Sequence, residues 1–431
     1  MDAVVSPFRR TVGAENAATG KWIVVTSLMF NLWLCFLQTR GWLHASSATV
    51  AMVELLVIGA AAWCVRRQVN ERVVVIAALT TGYVVAAKMI NPAESPKILH
   101  DLFIMYVFYC LGRGSGRPAA QWTIWAAMAL VLTIGLFELL APDVYGQLFN
   151  VWQYYVEKGV LSQDTVNYSG TTMFVSGNRG EGARTFLPSL LGSHRVSSVF
   201  LEPVSMGNFA ALVFAWCLAV WRNRPGGRQI ALIALALVCI VLTDSRFASG
   251  CCVAMLLVRI SPLRRSSLFV FLLPIGVVTA LTVVGALHEI PGATPSILTD
   301  NLKGRLVFSG RLLDYWTLSP WFAFSVSPVY TADTGYAYIF NTLGAPLTLL
   351  YALIFAFHRN ASRDAAVMKT MLAVYFSCSL CIGANSVTIK TAALLWFLYG
   401  ALDAVPLAER RQIRRQKASA SLFPVGAAAC E

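Results

Sequence analysis

The chain has 431 residues, 57% hydrophobic and 13% charged, with a mean hydropathy of +0.64 and a formal net charge of +13. Soluble domains are about a quarter charged, so this composition excludes an ordinary soluble protein. It predicts one all-α, polytopic membrane domain over 1–431, with the lipid bilayer as its solvent. In a soluble chain the positive excess would suggest nucleic acid. Here no basic patch is interleaved with aromatic residues as in single-strand binders, so no nucleic-acid partner is expected.

The segment from Met1 to Gly20 is polar and lacks a cleavable-signal pattern, so the first apolar run is expected to stay as a helix. A bilayer crossing needs about 20 mainly apolar residues. About twelve such transmembrane segments are predicted, near 22–39, 46–65, 73–91, 99–112, 121–141, 199–221, 229–243, 246–260, 267–287, 335–357, 367–384 and 389–407. With both termini in the cytoplasm, the short loops on that side and the basic tail at 408–431 hold 22 of the 34 Lys and Arg residues. They include the pairs Arg66 and Arg67, Arg113 and Arg117, and Arg264 and Arg265, as the positive-inside rule requires.

Two long segments, 142–198 and 288–334, then fall outside as extracytoplasmic loops. They carry Lys158, Arg179, Arg184, Arg195, Lys303, Arg305 and Arg311 where the rule disfavours arginine. An anionic ligand explains them most simply; surface ion pairs with Asp143, Glu157, Asp164, Glu181 or Asp300 are the plainer explanation. The first segment contains Gly177-Asn178-Arg179-Gly180-Glu181-Gly182, and Gly and Asn there let backbone amides converge on an anion. Ten cysteines lie mostly in apolar runs, where cysteine is a small hydrophobe. None stands in either outer segment.

At the end of the first segment stands Arg195-Val196-Ser197-Ser198-Val199-Phe200-Leu201-Glu202-Pro203. Charges at the mouth of a span are costly and usually kept for function. If a helix runs through it, Ser198, Glu202 and Ser205 share one face. Further on, Thr243-Asp244-Ser245-Arg246 joins two spans at the same surface. The second outer segment holds Arg305, then Arg311 with Trp316 five residues later. It closes on Asp333-Thr334-Gly335-Tyr336. Trp316, Trp321, Tyr315 and Tyr330 suit stacking on sugars, or simply anchoring at the membrane interface.

The Arg195–Pro203 string resembles the Arg-x-x-Ser-x-Phe-x-Glu-Pro signature of the bacterial O-antigen polymerase and ligase superfamily. The Thr-x-Ser-Arg turn, the Arg-x-x-x-x-Trp stretch and the Asp-x-x-Tyr element are similar to that family's later motifs, in the same order, over roughly 190–360. The resemblance implies a glycosyltransferase of the bacterial inner membrane. Its substrate would be an oligosaccharide on polyprenyl pyrophosphate, for O-antigen, capsule or exopolysaccharide. A flippase and a chain-length co-polymerase are implied as partners. Ligases of the superfamily carry a histidine near Asp333; His288 and His358 lie elsewhere, which favours the polymerase.

Guanidinium groups must stabilise the leaving pyrophosphate, and a carboxylate must orient or deprotonate the attacking hydroxyl. The resulting expectation places Arg195, Glu202 and Asp333 in catalysis, and Arg246, Arg311, Arg305, Ser198 and Tyr336 in substrate binding. No Asp-x-Asp pair occurs in the outer segments and pyrophosphate leaves readily, so neither metal nor other cofactor is expected. Two alternatives are a ligase that moves finished polymer to another acceptor and a twelve-helix transporter or flippase. For the latter Lys88, Asp101, Lys390 and Asp403 would sit deeper in the membrane.

Overall fold

The computed structural model describes residues 8–68, 71–92, 96–161, 172–174, 177, 187–221, 226–288, 295, 302–327, 331 and 334–404. Among these residues the regular structure is helical. The first group comprises α1 (Phe8–Thr39), α2 (Ser47–Val65), α3 (Glu71–Ile90), α4 (Lys97–Ser115) and α5 (Arg117–Leu140). Three short helices follow: α6 (Pro142–Leu148), α7 (Val151–Glu157) and α8 (Pro188–Leu191). Next come α9 (Pro203–Val220), α10 (Gly227–Leu242), α11 (Arg246–Ile260) and α12 (Ser267–Leu287), then α13 (Leu302–Tyr315) and the single turn α14 (Leu318–Trp321). The described residues close with α15 (Gly335–Leu343), α16 (Ala345–Phe357), α17 (Arg363–Ser379) and α18 (Ile389–Leu402).

Helices occur at all twelve predicted positions, but among the described residues six of them are long and apolar enough to cross a membrane: Ala18–Thr39 within α1, Ser47–Gln68, Val73–Ile90, Arg117–Leu140, Pro203–Val220 and Ser267–Leu287. A seventh is reached if α15 and α16 count together, but these meet at a bend of 108°. The break falls at Gly344, whose φ of +79° a side chain would strain, and Pro346 follows at the start of α16. The remaining helices at the predicted positions are too short or too polar. The chain is therefore an α-helical membrane protein.

Burial separates the spans by role. Within Pro203–Val220, 89% of the span is buried in the protein, against 17% of Ser267–Leu287, although the latter has the higher hydropathy. An apolar helix left uncovered by protein needs lipid to cover it. Large apolar residues such as Leu56, Trp63, Leu79, Met89, Ile260 and Leu287 stand exposed accordingly. The buried α9 is the hub, packed by α10, α11, α17 and α18, while α18 lies along α4.

The segments expected as outer loops are partly helical. In the second, α13 lies tightly against α12, because Gly285 and Gly310 face each other. A Cβ on either would fall 2.2 Å from the other helix's backbone. This contact fixes α13, and with it Arg311, onto the bundle.

Candidate active site

The Arg195–Pro203 string does not fold as the start of a helix. Ser198–Phe200 forms a 3₁₀ turn, and Ser198 (φ 53°) and Leu201 (φ 62°) both take the left-handed region. Glu202 is extended, as the residue before a proline prefers, and Pro203 opens α9. Left-handed non-glycine residues cost on the order of 1–3 kcal/mol each and persist where surroundings over-determine them. The surroundings do so here. Glu138, fully buried near the end of α5, accepts the Ser197 amide at 3.0 Å on both oxygens and the Ser198 amide at 2.6 Å on Oε2. Tyr145 donates to the Ser198 carbonyl at 3.2 Å. The Ser198 hydroxyl donates to the Val131 carbonyl at 2.6 Å. Ser198 therefore does not share a helix face with Glu202, and its hydroxyl is spent on holding the turn against α5.

Strain in this turn aims Glu202 inward. The phenol of Tyr155, on α7, and the ammonium of Lys390, on α18, both donate to Oε1, the latter at 3.1 Å. Ser205 donates to Oε2 at 3.0 Å. Lys390 also donates to the Tyr155 hydroxyl at 3.0 Å and reaches the Phe200 carbonyl at 3.4 Å. Burial pushes the Glu202 carboxyl up, but the Lys390 charge and the Tyr155 hydrogen bond outweigh it and hold it below the usual carboxylate range. Burial, then the Glu202 charge, pushes the Tyr155 phenol well above its ordinary value, so Tyr155 stays a donor. Lys158 lies half-buried at the end of α7, 5.8 Å from the Tyr155 ring centre. Burial first, and Lys390 second, pull its amine down to about 8.

Arg195 stands at the start of the string. Its amide donates to the Gly177 carbonyl at 2.7 Å and its Nε to the Thr243 carbonyl at 3.0 Å. The guanidinium is thereby tied to the turn between α10 and α11. There Asp244 is buried with φ 46°, Ser245 caps α11 and Arg246 is exposed as its first residue. The string and the Thr243–Arg246 turn thus form one mouth.

Arg311 and Tyr336 belong to a second apolar group, built on α12, α13, α15 and the end of α17. Arg311 is 4% exposed, and among the described residues its Nη1 has no hydrogen-bond partner. Arg305 is half-buried on the same helix. Tyr336 and Trp316 are buried in the apolar group, with the Trp316 indole donating to Ser327 at 3.2 Å. They serve as core rather than as an open sugar platform. The two groups meet along the connection between α17 and α18. The Ser309 hydroxyl donates to the Cys381 carbonyl at 2.7 Å and the Tyr336 amide to the Leu380 carbonyl at 3.0 Å, and the connection leads into α18, which carries Lys390 in its first turn. Asp333 and most of the glycine-rich stretch lie outside the described residues.

Sequence reasoning missed two residues and one pairing. Lys390, a deep charge only under the transporter alternative, pairs with Glu202 across 188 residues of sequence. Tyr155 and Glu138 carried no motif at all. A lone glutamate near the end of an apolar span was the available signal for Glu138, since such a charge demands a partner. No protein-family model matches the sequence, and neither any curated protein nor any solved structure matches it.

Proposed function

We propose that the chain is a polysaccharide polymerase of the bacterial inner membrane, joining polyprenyl-pyrophosphate-linked oligosaccharide units at the extracytoplasmic face. The observation that carries this reading is the strained Arg195–Glu202 turn. It places a guanidinium and an ionised, neutralised carboxylate at the mouth of the most buried span. Strain held in place by a dedicated buried carboxylate is characteristic of functional sites. Arg311 adds a buried cation whose Nη1 has no hydrogen-bond partner among the described residues, a natural donor to a phosphate oxygen.

In this mechanism an acceptor sugar hydroxyl attacks the donor's anomeric carbon, and the pyrophosphate leaves with the bonding electrons. Arg195, Arg246 and Arg311 stabilise the leaving anion. Glu202 faces the positive charge that develops near the sugar ring. Its carboxyl, held below the ordinary range and already accepting three hydrogen bonds, suits electrostatic and orienting work better than proton removal.

The test is the length of lipid-linked glycan in cells lacking the gene, complemented by wild type or by Arg195→Ala. Single repeat units in the deletion, lengthened only by wild type, support the polymerase. Long chains stranded on the carrier lipid indicate a ligase. Unchanged glycan overturns both and brings the transporter forward.

A further inference from the structure

Among the described residues the site so far lacks a proton acceptor. We infer that His194 is that acceptor and that Glu138 is its positioning residue; this assignment rests on the polymerase reading. His194 immediately precedes Arg195, and its amide is anchored on the Leu191 carbonyl at 2.9 Å. Its Nε2 lies 3.1 Å from Oε1 of Glu138, at ion-pair distance but out of line for a hydrogen bond. Its side chain is 19% exposed, so one edge of the ring remains reachable, and Glu138 is fully buried.

Glu138 cannot follow the ring or turn away from it, because the Ser197 and Ser198 amides hold both its oxygens. A fixed buried carboxylate behind an accessible imidazole is the arrangement that lets histidine take a proton and stabilises the imidazolium that forms. The same carboxylate holds the turn that leads to Glu202, so base and orienting acid are set by one anchor.

The step balances. The acceptor hydroxyl oxygen bonds to the anomeric carbon, and the bond from that carbon to the pyrophosphate oxygen breaks with its electron pair on the pyrophosphate. The hydroxyl proton passes to Nδ1 of His194. Among the other imidazoles, His44 is tied to Glu157 at 2.8 Å and His358 to Asp403 at 2.9 Å, the latter at the far end of the bundle. His100, flanked by Asp101 at 3.3 Å and Glu54 at 3.9 Å, is the useful control, since it shares the carboxylate setting but not the mouth.

The experiment follows elongation of lipid-linked repeat units, extracted from the deletion strain, by the full chain in nanodiscs. His194→Ala is expected to lose about 100- to 10,000-fold in rate, with an unchanged melting temperature. Added imidazole is expected to restore part of that rate. His100→Ala is expected to elongate as wild type does. Glu138→Asp is expected to keep more rate than Glu138→Ala, because the shorter acid still pairs with the ring. If His194→Ala elongates normally, the base assignment fails while the polymerase reading stands. The assignment also fails if both His194→Ala and His194→Gln are folded and inactive but imidazole restores neither. If wild type elongates nothing, the polymerase reading itself fails, and the base with it.

Discussion

Two carboxylates, one buried and one half-buried, sit at opposite ends of α18, and they are built differently. At its C-terminal end Asp403, 2% exposed, accepts from the Tyr109 phenol, from His358 Nε2 at 2.9 Å, from the Ala361 amide at 2.7 Å and from Asn360 at 3.5 Å. Lys369 nearby donates to the Ala356 and His358 carbonyls at 2.8 and 2.9 Å rather than to the acid. These groups tie α4, the α16–α17 connection and the end of α18 together, and none of the described backbone around Asp403 is left-handed. At the N-terminal end Glu202 also has a tyrosine and a cation. Its side chain, however, keeps 19% exposure, stands after a strained turn and has the half-buried Lys158 close by. A saturated, strain-free cluster has the make-up of a structural clasp, whereas a strained and accessible one marks a candidate site.

Substitutions sharpen this contrast. The largest effect on stability is expected from Lys390→Met, which strands the Glu202 charge; breaking a buried pair costs about 3–5 kcal/mol. Adding Glu202→Gln should recover much of that loss without restoring elongation. A thermal melt of the single and double variants checks this, and additive losses would disprove the pairing. Asp403→Asn comes next. Loss of a charged acceptor among satisfied donors is expected to cost about 1–3 kcal/mol while elongation per folded molecule stays unchanged. A selective loss of elongation would erase the distinction between the two ends.

Gly310→Ala tests whether the second group depends on the α12–α13 contact. The added methyl meets backbone at 2.2 Å, so the helices must separate, and overpacking of this kind costs roughly 1–3 kcal/mol. Cysteine cross-linking between α12 and α13 would register the shift.

The smallest effect concerns Lys158. Its amine ionises at about 8 in the folded protein and near its ordinary 10.5 when unfolded. Between those values the unfolded chain binds more protons, so stability rises with pH across about 8 to 10.5. Below pH 8 the cost of the buried charge is fully present. Lys158→Met should raise the melting temperature at pH 7 and flatten that rise, by under about 1 kcal/mol after solvent screening. A melt series from pH 7 to 10 reads this directly.

Much of the fold was legible in the chain. Apolar runs placed a helix at each of twelve positions, because apolar length and helical backbone satisfaction are local properties. How many of those helices suffice to span was not legible in the same way. The pattern at 335–357 reads as one run, yet Gly344 breaks it by 108°. The run at 288–334 reads as loop, yet α13 packs there through Gly285 and Gly310.

The site divides along the same line. Arg195 and Glu202 stood out because two charges bracket an apolar string at a span's mouth, which any reading of cost per residue detects. Their partners did not stand out, because a charge's partner is set by which helices meet. The sequence by itself determined that this chain lives in a membrane, where its apolar helices run and which charges need explaining. Only the tertiary structure decided that Lys390 and Tyr155 answer Glu202, that Glu138 holds the turn, and that Ser198 supports the turn rather than a substrate. Apolarity and backbone preference act over a few neighbouring residues. The pairing of buried charges acts through space, between segments that the chain brings together only when α9 is enclosed.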